Sequence, residues 1–417
     1  MTGNSEANGP ETSRRQISRR GLLGMGLGLA SAGCLRFDAE TETATETGKT
    51  PTTAESSPEL QSAPTGLTEA WSREDESLAL RASPSSNAVF VGGRNSVSRI
   101  DAGDGSRRWD QETGLIGTRP TVTDSTVYAS GRDGTFYALD RDDGSTNWTF
   151  EADIGLTTVP LAVPDQNRIV VGAGETSGTV VGADGADTDS EHDSAYVYGL
   201  DTDGNEVWTV ETANGDPVTG TAVHDGVVYV RTANRMDTYN LSDGTERDAG
   251  FGVHDVQWDV QHPMNGTYYS NRVAADETGV YLLTQDYVAS VIHDGTHRWT
   301  YEPFDQSLRF QYEPGTVYIS AADNALYAVD AAEGSQQWRV QVDGTPKALL
   351  LADGYLWSGD TSNTITAVDT DSGTVAFKES VGEPFNAESA DLAVAGQHLV
   401  YSIKGEVRGF EIVTEAA

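Results

Sequence analysis

The chain has one cysteine, Cys34, and only four lysines, Lys49, Lys347, Lys378 and Lys404, among 417 residues. A single cysteine excludes any intramolecular disulfide. The scarcity of lysine is part of a wider scarcity of positive charge. There are 27 Lys and Arg against 64 Asp and Glu, a formal net charge of −37. That balance excludes nucleic acid as a partner, because neutralising phosphates requires a basic face. It suits a heavily hydrated surface in strong salt, where screening confines self-repulsion to a few Å. From residue 67 onward no stretch carries the 3.6-residue period of a long amphipathic helix.

What is present begins with an address. In "SRRGLLGMGLGLASAGC" (18–34), Arg19 and Arg20 precede an apolar, glycine-rich run that ends in small residues before Cys34. The run is too short to span a bilayer as a mature helix. It resembles a twin-arginine export signal ending in a lipobox. Gly21 and Leu22 stand where an arbitrary residue and Phe are common, and Ser31 stands where a lipobox usually has Leu. The alternative is a small-residue cleavage site that happens to precede a cysteine. A lone exported thiol is a liability that a thioether to lipid would remove. Residues 1–33 are therefore read as the signal. Residues 34–66 are read as a lipid anchor followed by a tether rich in Thr, Glu and Pro, too polar to offset its ordering entropy. The expected location is outside the cell, on the outer face of the cytoplasmic membrane, held by the lipid alone. The acidic, lysine-poor composition resembles that of secreted proteins of extreme halophiles.

One pattern recurs through residues 67–417. It appears as "RIDAGDGSRRW" (99–109), "ALDRDDGSTNW" (138–148), "GLDTDGNEVW" (199–208), "TYNLSDGTERD" (238–248), "SVIHDGTHRW" (290–299), "AVDAAEGSQQW" (328–338) and "AVDTDSGTVAF" (367–377). The glycines Gly105, Gly144, Gly204, Gly244, Gly295, Gly334 and Gly373 are 39, 60, 40, 51, 39 and 39 residues apart. The period means stacked supersecondary units, with insertions in the third and fifth. Within the second unit, strands are expected near 119–124, 126–131, 135–140 and 146–150, where apolar residues alternate between Gly and Asp punctuation. Four antiparallel strands per period make a propeller blade. The recurrent motif is then the turn between third and fourth strands: Asp accepts backbone N–H bonds, Gly supplies positive φ, and the tryptophan packs between blades.

Asp140 and Asp142 look like the start of a calcium loop, but Gly144 sits at loop position 5 where an EF-hand needs position 6. Seven copies with different loop contents cannot all bind metal, so no metal site is assigned. Counting the tryptophan register backward from Trp109 reaches Trp71, and the last strands, near 398–405 and 406–413, lack a tryptophan strand of their own. The expected fold is all-β, an eight-bladed propeller closed by the N-terminal strand around Trp71, which removes the sheet edges.

"VYASGRDGTFYALDRDDGSTNW" (127–148) and "VYISAADNALYAVDAAEGSQQW" (317–338) resemble the PQQ-like β-propeller repeat. That family includes quinoprotein dehydrogenases and BamB-like lipoproteins that are non-enzymatic scaffolds, so the fold does not choose between catalysis and binding.

Departures from the repeat mark candidate sites. Nine residues before Phe90, Tyr128, Tyr281 and Tyr318 stand Arg81, Arg119, Arg272 and Arg309, and Lys347 lies ten before Trp357. Together they predict a cationic collar at a channel mouth, suited to carboxylate, phosphate or sulfate. The competing reading pairs them with nearby acids, in ion pairs that close the channel. The acidic insertion 174–194 reads as a solvated loop. The aromatic insertion 251–272, with His254, Trp258, His262, Tyr268 and Tyr269, reads as a contact loop or as packing onto the propeller.

Two functions follow. The first is a monomeric, surface-anchored propeller that binds a protein, a peptide or an anionic ligand without catalysis or cofactor. The second is a PQQ-dependent dehydrogenase using Ca²⁺. The resemblance implies adjacent cysteines, a calcium-binding Glu and Asn and a catalytic Asp for that chemistry; the cysteine pair is absent and the other residues match no position here. No catalytic residue is assigned.

Overall fold

The computed structural model describes residues 60, 62–74, 79–82, 87–174, 194–212, 215, 217–232, 235–247, 273–284, 287–384, 390–403 and 405–414. The described residues form short strands and one 3₁₀ turn, Pro164–Gln166. None of them forms a helix long and apolar enough to cross a membrane. Where Val, Ile, Tyr and Phe alternate between Asp–Gly turns, antiparallel hairpins form. The second unit folds as Thr121–Val122, Thr126–Ser130, Thr135–Asp140 and Thr146–Glu151, close to the strands expected from its sequence.

The strands make eight sheets in sequential order, one per blade. Blade 1 is Ala79–Ala82, Ala88–Gly92, Ser96–Asp101 and Arg107–Glu112; blade 2 is the unit just given. Blade 3 is Leu161–Val163, Arg168–Gly172, Tyr196–Leu200 and Glu206–Glu211. Blade 4 shows three strands, Gly220–His224, Val227–Arg231 and Met236–Asn240, then a single bridge from Tyr239 to Glu246. Blade 5 is Val273–Asp276, Gly279–Leu283, Val288–Val291 and His297–Tyr301. Blade 6 is Ser307–Glu313, Thr316–Ala321, Ala325–Asp330 and Gln336–Gln341, and blade 7 is Pro346–Ala352, Tyr355–Asp360, Thr364–Asp369 and Val375–Ser380. Blade 8 joins the two ends of the chain. Ala390–Ala395, His398–Ile403 and Glu406–Thr414 are completed by Pro64–Glu74, which pairs antiparallel with Glu406–Thr414. The closing strand starts at Pro64, three residues ahead of the boundary drawn at 67.

The core is not central. Eight apolar clusters lie one in each seam between neighbouring blades. The first strands of adjacent blades stand side by side around the axis. Because each blade is a twisted sheet with two apolar faces, stacking blades in a closed ring is what covers both faces.

The recurrent motif works as a peg and a socket. The indole N–H of Trp109 donates to Arg141 O at 3.1 Å, and its ring lies on Gly144, where an added Cβ would stand 2.6 Å from it. Gly144 is also at φ 76°, so both backbone and neighbour demand glycine. In the same way Trp71 donates to Ala102 O, Trp148 to Thr202 O, Trp208 to Leu241 O, Trp299 to Ala331 O and Trp338 to Thr370 O. The Asp140 carboxylate accepts from the amides of Asp142 and Asp143 at 2.8 and 3.2 Å, within its own turn.

Candidate functional site

The first and third hairpin turns of a blade lie on one face of the ring. Arg141, in the Asp–Gly turn of blade 2, bonds Thr123 O and Asp124 O of that blade's first hairpin. The middle turns and the links between blades lie on the other face, as shown by the Ala322 amide bonding Gln306 O. The predicted collar belongs to this second face, because Arg119, Arg309 and Lys347 sit at or just before the start of first strands.

The structure does not place the collar residues in one register. Arg81 pairs with Phe90 itself, whereas Arg309 pairs with Ser320, two residues beyond Tyr318. The reason is the first hairpin, whose length differs: pairing closes at Ala82 and Val89 in blade 1, but at Glu313 and Thr316 in blade 6. Arg119 crosses from blade 2 to blade 8, past blade 1. Its Nε donates to Asp391 Oδ2 at 2.7 Å, and its Nη2 also bonds Asp391 Oδ1. The two side chains are 12% and 4% exposed, so this fork is engaged inside the protein. Half-buried Arg309 donates to Leu308 O at 3.2 Å. Lys347 is half-buried at a bulge between Pro346 and Ala348. Arg272, Cys34, Arg19, Arg20, the aromatic insertion 251–272 and, but for its end residues Gly174 and Ser194, the acidic insertion lie outside the described residues. Among the described residues no three His, Cys, Asp or Glu gather as a metal would require.

A second cluster on this face was not visible to the register argument. The link from blade 5 to blade 6 carries Phe304, 82% exposed, the one aromatic ring among the exposed large apolar residues described. The Arg339 guanidinium stands 5.4 Å from the Phe304 ring centre and 5.5 Å from that of Tyr327. Arg339 is fixed by Asp323 at 2.8 Å and by Tyr327 Oη at 3.2 Å. Tyr301 meets Tyr327 edge-on at 5.9 Å and donates to Gln336 at 2.7 Å. The hydrogen bond to Asp323 raises the pKa of the Arg339 guanidinium above its ordinary value. The cluster joins an exposed ring to immobilised cation and aromatic groups, the composition that dominates protein interfaces. Its sequence signal is a Phe inside "YEPFDQ" (301–306), an aromatic residue where the repeat has only a link.

Fold and surface define a closed propeller of PQQ-type repeats that offers loop faces for binding. The family profile of the outer membrane protein assembly factor BamB matches residues 47–191 and 254–352, and the chain belongs to that family. The BamB of Yersinia pestis is 24% identical over 280 residues, 63% of this chain and 66% of that protein, so the match spans just under two thirds of that relative. The crystal structure of BamB from Moraxella catarrhalis superposes on 84% of this chain and 99% of its own, at 17% identity and a TM-score of 0.56. A quinohemoprotein alcohol dehydrogenase from Pseudomonas putida covers 87% of this chain and 79% of its own, at 13% identity and a TM-score of 0.62. At these identities both structures speak for the fold alone.

Proposed function

We propose that this chain is an exported, lipid-anchored propeller that binds another protein and performs no chemistry of its own. Membership of the BamB family supports the reading, since that family is described as an assembly factor. The observation that carries it is the Phe304–Arg339–Tyr327 cluster. An 82% exposed phenylalanine gains nothing from water, and its neighbours are already immobilised. Binding there would bury the ring at little cost in side-chain ordering. The partner would present an apolar or aromatic side chain to the open face of Phe304.

The test is photo-crosslinking in intact cells, with a benzophenone amino acid at position 304 or at Val207, which is also exposed on an outer strand. A discrete protein adduct is expected from 304 and not from 207, and Arg339→Ala should weaken it by about tenfold or more, as for an interface hot spot. Equal adducts from both positions, or none, would remove this face from the proposal. The second reading, a quinone-dependent dehydrogenase, predicts instead that PQQ with Ca²⁺ raises the melting temperature of the purified chain.

A further inference from the structure

The peg rule has two exceptions. Phe377 replaces the tryptophan at the seam from blade 7 to blade 8, and the reason is topological. Blade 8 takes its fourth strand from the other end of the chain, so it has no Asp–Gly turn to receive an indole. The second exception has no such excuse. Blade 5 has its turn, with Gly295, but the residue four after Gly244 is Asp248. Among the described residues, the apolar cluster at this seam holds no tryptophan or phenylalanine.

Histidines occupy the joint instead. His293 stands where the other turns supply the carbonyl that receives the peg. Its ring stacks on that of His224, from the first hairpin of blade 4, with centres 5.3 Å apart and planes 9° from parallel. Tyr229 Oη and His293 Nδ1 are 2.6 Å apart, while His293 Nε2 is buried without a hydrogen-bond partner. A polar contact also crosses the otherwise apolar seam. Buried Arg231 donates across it to Leu283 O at 2.6 Å. Nearly parallel rings do not aim their in-plane lone pairs at one point, so the pair is not arranged around a metal.

We infer that the joint between blades 4 and 5 is the protonation-sensitive joint of the ring: charging the His224–His293 pair loosens this seam while the tryptophan-pegged seams stay closed. Two imidazolium rings in this stack repel. Among the described groups facing the pair, blade 4 contributes Asp225, Tyr229 and Arg247, and blade 5 contributes Asp276, Glu277 and Asp294. The acids favour the charged form. Burial and the partner imidazole oppose it, and they prevail at His224, whose pKa lies below the ordinary histidine value. Tyr229 is pushed up to about 12 by burial, so it stays a neutral phenol. A histidine with a lowered folded-state pKa binds protons more readily when unfolded. Stability is therefore full above the ordinary histidine value and falls as the pH drops through it toward the folded value.

The experiment is hydrogen exchange read by mass spectrometry at about pH 7.5 and 5.5, corrected for the intrinsic rate. At the lower pH, peptides covering 220–231 and 279–291 are expected to lose protection by about tenfold relative to those covering 316–330. His224→Gln, which keeps the His293–Tyr229 bond, should abolish the difference, and His224→Gln with His293→Gln should do the same. If the double variant does not fold, the single variant decides. Uniform loss of protection across all seams, or a pH response that persists in His224→Gln, would overturn the inference.

Discussion

At the residue scale, the turn and the peg were legible because they repeat. Seven copies of an Asp–Gly turn, six of them matched in the structure by a tryptophan on the glycine of the next blade, leave little freedom in interpretation. The collar was not legible, for two physical reasons. Hairpin length shifts the register between blades, and Asp391, which engages Arg119, lies 272 positions away in sequence. This pair carries a prediction. Arg119→Ala removes the fork that engages an almost fully buried carboxylate and should destabilise the fold by about 3–5 kcal/mol. Replacing both Arg119 and Asp391 by leucine should recover most of that loss, because a buried pair often equals its apolar substitute. Denaturant titration of the single and double variants measures the coupling. Additive losses would mean that the two side chains do not depend on each other. Phe304 and His293 were missed for the opposite reason to the collar: each is a single departure from the repeat, and a single departure reads as noise until neighbours such as Arg339 and His224 are seen beside it.

At the scale of elements, strand positions and ring closure could be read from periodicity and the tryptophan count, since four short alternating strands per period make a propeller blade. The closing strand differs from the other outer strands described in one respect. Pro64–Glu74 pairs with Glu406–Thr414 with no hairpin between them. Trp71 locks that strand to blade 1 through Ala102 O at 2.9 Å, just as Trp338 locks blade 6 to blade 7 through Thr370 O at 2.8 Å. Trp71→Ala and Trp338→Ala remove chemically equivalent pegs and should each cost about 3–5 kcal/mol at equilibrium. Their kinetics should diverge. Losing Trp71 frees a strand that can peel away, so unfolding should accelerate more than in Trp338→Ala. Stopped-flow unfolding in denaturant makes the comparison. Equal unfolding rates would mean that the ring does not open at its closing strand.

At the scale of the whole molecule, charge dominates. If every Lys and Arg engaged one carboxylate, 37 acids would remain uncompensated. Several bases are already committed in that way, among them Arg108 to Asp101, Arg119 to Asp391 and Arg339 to Asp323. Those acids that lie on the ring repel one another, and unfolding lets them move apart. Screening shortens the reach of that repulsion from about 10 Å at 0.1 M salt to about 3 Å at 1 M. The folded ring gains more from this than the expanded chain does, since its charges are closer together. The melting temperature should therefore rise substantially between 0.1 M and 1 M sodium chloride, and choline chloride should act similarly because the effect is screening. A midpoint independent of salt would show that the surface acids do not strain the fold. A rise with sodium chloride but not with choline chloride would point instead to specific cation binding by the carboxylates.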